Sequence, residues 1–290
     1  MRWLLLLLLI GCTQQEPFIN VGVLLDNDAA LSGMELAVEE INQRDFLDSP
    51  LRLVVKDCTS AGALELIVAY GARVIIDACT EDVATQVARQ NRVAVISLYH
   101  SGISLMPSVV SLDKAAARAL VQQGYKKIGV LHSRDVDVFV REANALGGET
   151  ILEYVERNSS HATQQRARLL ASQPDALFFV DVNESAMKSF VTIPIFSYIV
   201  SEHVNVVRPV ATDVFSAYFQ KVYGKQVTYD AALGYDAIKA VAEALQKVPH
   251  SGTAIEDELQ RMSFEGASGN VDFSGNRTIQ VAFEINESFR

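Results

Sequence analysis

The 290-residue chain has little of what most catalytic and nucleic-acid-binding proteins display. It holds only three cysteines, Cys12, Cys58 and Cys79. Its five histidines, at 100, 132, 161, 203 and 250, show no metal-ligand spacing. There is no Gly-x-Ser-x-Gly, no His-Glu-x-x-His and no Gly-rich phosphate loop, so hydrolase, zincin and nucleotide-binding readings have no motif to stand on. Nothing calls for a cofactor, and the chain reads as a non-enzyme. Lys/Arg blocks are also missing, and the formal net charge is −10 with a pI near 5.0. That balance argues against a nucleic-acid partner and against a basic membrane patch.

What is present is apolar material: 49% of the residues are hydrophobic, ample for folded cores in one large domain or two ordinary ones. The first such run is terminal. Met1-Arg2 is a minimal positive start, and Trp3 to Ile10 is too short to span a bilayer as a helix, so the stretch reads as an export signal. Beyond it, strand-length β-branched runs alternate with helical patterns. Leu51 to Val55, Val74 to Ile76 and Val93 to Ile96 are separated by helical segments over Ser60–Gly71 and Glu81–Asn91. Such alternation predicts parallel sheets with crossover helices. Phe18 to Leu25 is a preceding strand. The helix after it carries an apolar stripe at Leu31, Met34, Val38 and Ile41. A second αβ series runs from Asp113 onward: a helix to Gly124, strands at Lys127–His132, Glu149–Tyr154 and Asp175–Val180, and short elements at Ser185–Val191 and Ile193–Phe196. Val204–Pro209 reads as a strand returning toward the first series. Helices follow at Thr212–Tyr223, at Tyr229–Val248 and from a Thr253 cap to Met262. No tandem sequence repeat is visible.

In open sheets of this kind ligands bind off the carboxyl ends of the strands. Those ends carry Asp57-Cys58-Thr59, Cys79-Thr80 and Ser97-Leu98-Tyr99-His100-Ser101. Polar side chains therefore gather where the topology puts a crevice. Thr80, just before a helix expected from Glu81, reads equally as a helix cap and as an anion donor. Export makes a Cys58–Cys79 bridge the first expectation, with two reduced, buried thiols as the other.

Several of these stretches resemble the leucine/isoleucine/valine-binding proteins, the type I periplasmic binding family. They are the Asp57-Cys58 and Cys79-Thr80 pair with Ile96-Ser97 beyond, and Gly33-Met34-Glu35-Leu36-Ala37-Val38-Glu39-Glu40-Ile41-Asn42. Ala231-Ala232-Leu233-Gly234-Tyr235-Asp236-Ala237 and the closing run from Phe264 to Arg277, with a hairpin at Ser274-Gly275-Asn276, complete the set. The resemblance covers roughly Ile19 to Ile285. It implies an α/β, two-lobed type I periplasmic-binding fold, each lobe a mainly parallel sheet flanked by helices. It implies a disulfide between Cys58 and Cys79. It puts Thr80 and Ser101 on a ligand carboxylate and Glu202, in Glu202-His203-Val204, on a ligand ammonium. Tyr99, His100 and Asp137 are further ligand candidates; Asp137 stands where the family often has a Tyr. The loop Leu24–Ser32 is shorter than the family's Gly/Ser-rich one. Leu9-Ile10-Gly11-Cys12 looks like a bacterial lipobox, which would make Cys12 the lipidated first residue; the other reading is an ordinary signal peptide.

The expected organisation is residues 1–11 as signal peptide, 12–17 as lipidated tether, 18–113 with 225–268 as lobe 1, and 114–224 with 269–290 as lobe 2. The function so implied is that of an exported, lipid-anchored solute-binding protein of a branched-chain-amino-acid-type ABC transporter. It would close about a small ligand, an amino acid first, and present it to an ABC permease. A regulatory or structural lipoprotein that reuses the fold to bind an envelope protein is the alternative.

Overall fold

The computed structural model describes residues 18–100, 102–155, 162–182, 195–197, 205–248, 251–273 and 280–284. The chain divides into two compact units. One holds the residues up to Met106 with Asp230–Ser263, and the other holds Pro107–Tyr229 with the residues from Phe264 on.

The first unit is built on strands β1 (Ile19–Leu25), β2 (Leu51–Asp57), β3 (Val74–Ala78) and β4 (Ala94–Ser97), with helices α1 (Leu31–Gln43), α2 (Ser60–Val68) and α3 (Thr85–Asn91) between them. All pairs are parallel, in the order β2-β1-β3-β4. Burial follows position. Every residue of the inner strand β3 is buried, whereas the edge strand β2 alternates and shows Arg52, Lys56 and Asp57 to solvent or partly so. Charges on an edge strand discourage pairing with another chain. Leu24, Leu66, Ile75, Ala88 and Val93 join the α2 and α3 side of this sheet into one core with Cys79.

The second unit repeats that plan without repeating the sequence. Strands β5 (Lys127–His132), β6 (Glu149–Tyr154), β7 (Ala176–Val180), β8 (Ile195–Ser197), β9 (Asn205–Val210) and β12 (Gln280–Glu284) form a sheet in the order β12-β9-β8-β7-β5-β6. It is parallel except for β12, which runs antiparallel to β9. Strand β7 shows why the sheet is covered on both faces. Ala176, Phe178 and Val180 enter one core with Phe139, Leu120 and Val130, while Leu177 and Phe179 enter another with Leu131 and Leu169. Successive side chains point to opposite faces, so a strand that is apolar throughout needs two partners. Helices α4 (Val109–Gln122) and α5 (Asp137–Ala145) supply the first core, where Phe139 stacks on Phe178 with centroids 4.7 Å apart. Helix α6 (Ala162–Ala171) brings Leu169 to the second.

Helix α7 (Asp213–Tyr223) is capped by Thr212, whose hydroxyl accepts from Phe215 N–H, and ends at Gly224 in the left-handed region. Helix α8 (Tyr229–Lys247) leads back to the first unit, and α9 (Gly252–Leu259) follows. Strands β10 (Ser263–Gly266) and β11 (Gly269–Asp272) form a separate two-stranded sheet.

Four readings change. The strand over Val204–Pro209 does not return to the first series: β9 lies inside the second sheet, between β8 and β12. Helix α4 begins at Val109, not Asp113, because Ser108 after Pro107 accepts from Ser111 N–H and opens it earlier. Helix α9 is capped by Ser251 rather than Thr253, its hydroxyl accepting from Ala254 N–H. And α3 begins at Thr85, not Glu81. The expected helix over Ser185–Val191 and the hairpin at Ser274–Asn276 lie outside the described residues.

Cys58 and Cys79 form a disulfide with Cα atoms 5.7 Å apart. They do not end neighbouring strands: β1 lies between β2 and β3, so the bridge joins the two strands that flank it. Replacing both cysteines by alanine is expected to lower the free energy of unfolding by about 3 kcal/mol, since a cross-link of this span restricts the unfolded chain. Urea unfolding of the variant and the oxidised parent checks it; matching midpoints would refute a stabilising bridge.

Candidate functional site

The order β2-β1-β3-β4 reverses direction between β1 and β3, so the carboxyl ends of those two strands are where a crevice opens. Asp26 leaves β1 there, and Cys79-Thr80 leaves β3. Thr80 N–H donates to Asp26 Oδ2 at 2.8 Å, which closes one strand end onto the other. Asn27 Nδ2 donates to Asp26 Oδ1 at 2.9 Å. The Thr80 N–H holds the Asp26 carboxyl below the usual carboxylate range, against the effect of burial, and the Thr80 hydroxyl and Asn27 amide add to it.

Thr80 is therefore not the cap of α3. Residues 80–84 form a loop instead, and carboxylates take backbone N–H groups on either side of it. Asp77 Oδ1 accepts from Cys79 N–H at 3.2 Å, and Asp82 Oδ1 accepts from Thr85 N–H at 3.1 Å. Asp77 is fully buried, and its Oδ2 has no hydrogen-bond partner among the described residues. Burial pushes its carboxyl up; the N–H groups of Cys79 and Ala84 and the charge of His100 pull the other way.

The next strand end supplies Tyr99 and His100. Both are placed by Ser97, whose hydroxyl accepts from Tyr99 N–H at 3.2 Å and from His100 N–H at 2.7 Å. Ser97 itself is buried and tied by its own N–H to Ile103 O. His100 Nε2 lies 2.9 Å from Cys79 O and donates to it when protonated there. The ring thus links the ends of β3 and β4. Burial pushes the Tyr99 phenol well up, and the charge of Asp230 and a hydrogen bond to it add to the shift. Asp230 stands in the first turn of α8, and Asp26 also raises the Tyr99 phenol by its charge.

Of the residues singled out in the sequence, Thr80, Tyr99 and His100 come together on the first unit. Asp137 opens α5 on the second, its N–H donating to Asp135 Oδ1 at 2.8 Å. Ser101, Glu202 and Cys12 lie outside the described residues. Asp26, Asp77 and Asp230 were not singled out. A carboxylate directly after an apolar strand was the visible signal for Asp26; nothing local marks Asp230 as a partner of Tyr99. Among the described residues no His/Cys/Asp/Glu group has a metal-binding arrangement, and no helix is long and apolar enough to cross a membrane.

A structure from Desulfitobacterium hafniense, an ABC transporter substrate-binding protein in complex with Leu, superposes with a TM-score of 0.66 over 92% of this chain and 97% of its own, at 20% identity. The fold is the type I periplasmic-binding fold. A branched-chain amino acid transporter substrate-binding protein from Streptococcus pneumoniae, in complex with isoleucine, gives 0.61 over 92% and 95% of the two chains at 17% identity. A solute-binding protein from R. palustris in complex with benzoate gives 0.55 over 92% of each at 15%. The periplasmic-binding resemblance read in the sequence thus recurs in the structures, and one of these relatives in fold holds a ligand with no amino group. The receptor family ligand binding region matches residues 167–288. No curated protein sequence matches the chain.

Proposed function

We propose that this protein is an extracytoplasmic solute-binding protein, a lipid-anchored partner of an ABC permease that captures a small polar solute, an amino acid or a close relative of one. The observation that carries the reading is the gathering of Thr80, Tyr99 and His100, with Asp26 and Asp230, at the carboxyl-end edge of the first unit's sheet. That edge is where open α/β sheets take ligands. Ser101 and Glu202 complete the proposed set, Glu202 pairing a ligand ammonium. Closure of the two lobes on the solute is the mechanism that the resemblance implies. The reading includes no catalytic step.

A thermal-shift screen of the full chain against amino acids, their amides, amines and small carboxylates tests it. A ligand at 100 times its dissociation constant adds about 2.7 kcal/mol, a readily measured rise in Tm. At least one compound is expected to produce that rise, and Glu202→Gln is expected to weaken an ammonium-bearing one. A blank screen counts against solute binding. One observation favours the second reading, a regulatory lipoprotein that binds an envelope protein: the Thr80 donors already hold a group of the chain itself. A protein recovered by crosslinking, together with a blank screen, would establish that reading instead.

A further inference from the structure

A backbone N–H with a hydroxyl beside it, at the reversal point of a parallel sheet, is a ready receiver for an anion. In this chain the receiver is Thr80, and a carboxylate is already on it. Asp26 Oδ2 takes the Thr80 N–H at 2.8 Å, and Asn27 holds the other oxygen at 2.9 Å, so both carboxylate oxygens are engaged. The contact spans the two strands on either side of the reversal, β1 and β3, rather than neighbours in sequence. The other carboxylates nearby carry the same sign, with His100 the counter-charge among them. Asp26 and Asp230 both act on Tyr99, and Asp77 is buried in β3 three residues before Thr80. A second, free carboxylate at Thr80 would have to displace Asp26 and then lie among like charges.

We propose that Asp26 is a specificity-determining residue: it serves as a built-in anion on Thr80 and excludes a free carboxylate from that position, so that the solute presents an uncharged or cationic group there. The inference rests on the solute-binding reading for what enters the site, but the occupancy of Thr80 stands by itself. The short Leu24–Ser32 loop gives the device its physical means, since Asp26 follows β1 directly and reaches β3 without an intervening excursion. The α-carboxylate assigned to Thr80 by resemblance has its place taken by the chain's own.

The test compares the full chain with Asp26→Ala, using formate as a bare carboxylate and L-leucine against L-leucinamide as a pair that differs at the carboxyl end. The Thr80 backbone amide resonance reports occupancy directly, and calorimetry reports affinity. In the parent, formate and leucine are expected to leave the Thr80 amide unmoved, with leucinamide bound at least as well as leucine. In Asp26→Ala, formate is expected to move the Thr80 amide saturably, and leucine to gain at least about tenfold over the parent, the equivalent of about 1.4 kcal/mol, with leucinamide unchanged. A parent whose Thr80 amide already titrates with formate as well as the variant's does would overturn the proposal. So would a variant in which formate leaves it unmoved. Should Asp26→Ala fail to fold, Asp26→Asn keeps the shape and drops the charge, and the same two readouts decide. A parent that binds no compound in any screen removes the solute reading, whereas the formate response at Thr80 still decides the role of Asp26.

Discussion

Arg134→Ala is expected to destabilise the second unit by about 3–5 kcal/mol, the usual result of removing one partner from a buried ion pair. Arg134 follows β5, and its guanidinium grips Asp113 on α4 with both ends of its fork. Nη1 donates to Oδ2 at 2.8 Å and Nη2 to Oδ1 at 2.7 Å. The Asp113 side chain is only 3% exposed and the arginine 26%, so solvent screens the pair little. Without the arginine the carboxylate stays buried and loses two charge-assisted donors. The same guanidinium donates to Asp135 O, which braces the turn into α5. Arg134→Lys is expected to recover less than half of the loss, because a point charge cannot reproduce the two-pronged contact. Arg134→Ala combined with Asp113→Asn is expected to be milder than the sum of the single changes. Urea unfolding of the set measures all three. A single-variant loss under about 1 kcal/mol would assign the pair to the weak class typical of surfaces.

Gly33→Ala is expected to cost about 3 kcal/mol or more in the first unit, at or beyond the upper end for overpacked sites. A Cβ at Gly33 would stand 1.8 Å from the Ala231 carbonyl oxygen, and one at Gly234 would stand 2.3 Å from the Ala30 carbonyl oxygen. Helices α1 and α8 therefore meet backbone to backbone, with a glycine on each side of the contact. Backbone cannot rotate away as a side chain does, so an added methyl must force the helices apart. That opens the core around Met34 and Ala37, both fully buried on α1. Gly234→Ala is expected to act in the same direction, and the two together by less than their sum, since one separation relieves both clashes. Thermal and urea midpoints that match the parent for Gly33→Ala would show that the helices do not approach so closely.

These two contacts also mark the limit of what could be read along the chain. Gly33-Met34 and Gly234-Tyr235 each stood out as a stretch, but nothing in either names the other as its neighbour. Helix starts failed for a related reason. Ser108, Ser251, Thr80 and Thr253 all have cap chemistry, and which hydroxyl meets a backbone N–H depends on how the chain enters the helix. At Thr80 the entry is held elsewhere: the disulfide pins Cys79, and Asp26, Asp77 and Asp82 take the donors of the loop. The site was legible as a place, through the polar residues after three apolar strands. Its partners were not, because Asp26 meets Thr80, and Tyr99 meets Asp230, across stretches with no shared periodicity.

The sequence by itself determined the alternation of strands and helices, the two series, and the strand ends at which polar groups collect. Hydrophobic periodicity and turn chemistry are properties of short segments, and short segments carry them in any fold. Only the tertiary structure decided that β1 lies between β2 and β3, that the disulfide bridges across it, and that Asp26 occupies the donors of Thr80. Pairing order is set by which apolar faces can be buried together. A charge is placed by the donors that this pairing brings within reach, and neither condition exists until distant segments have met.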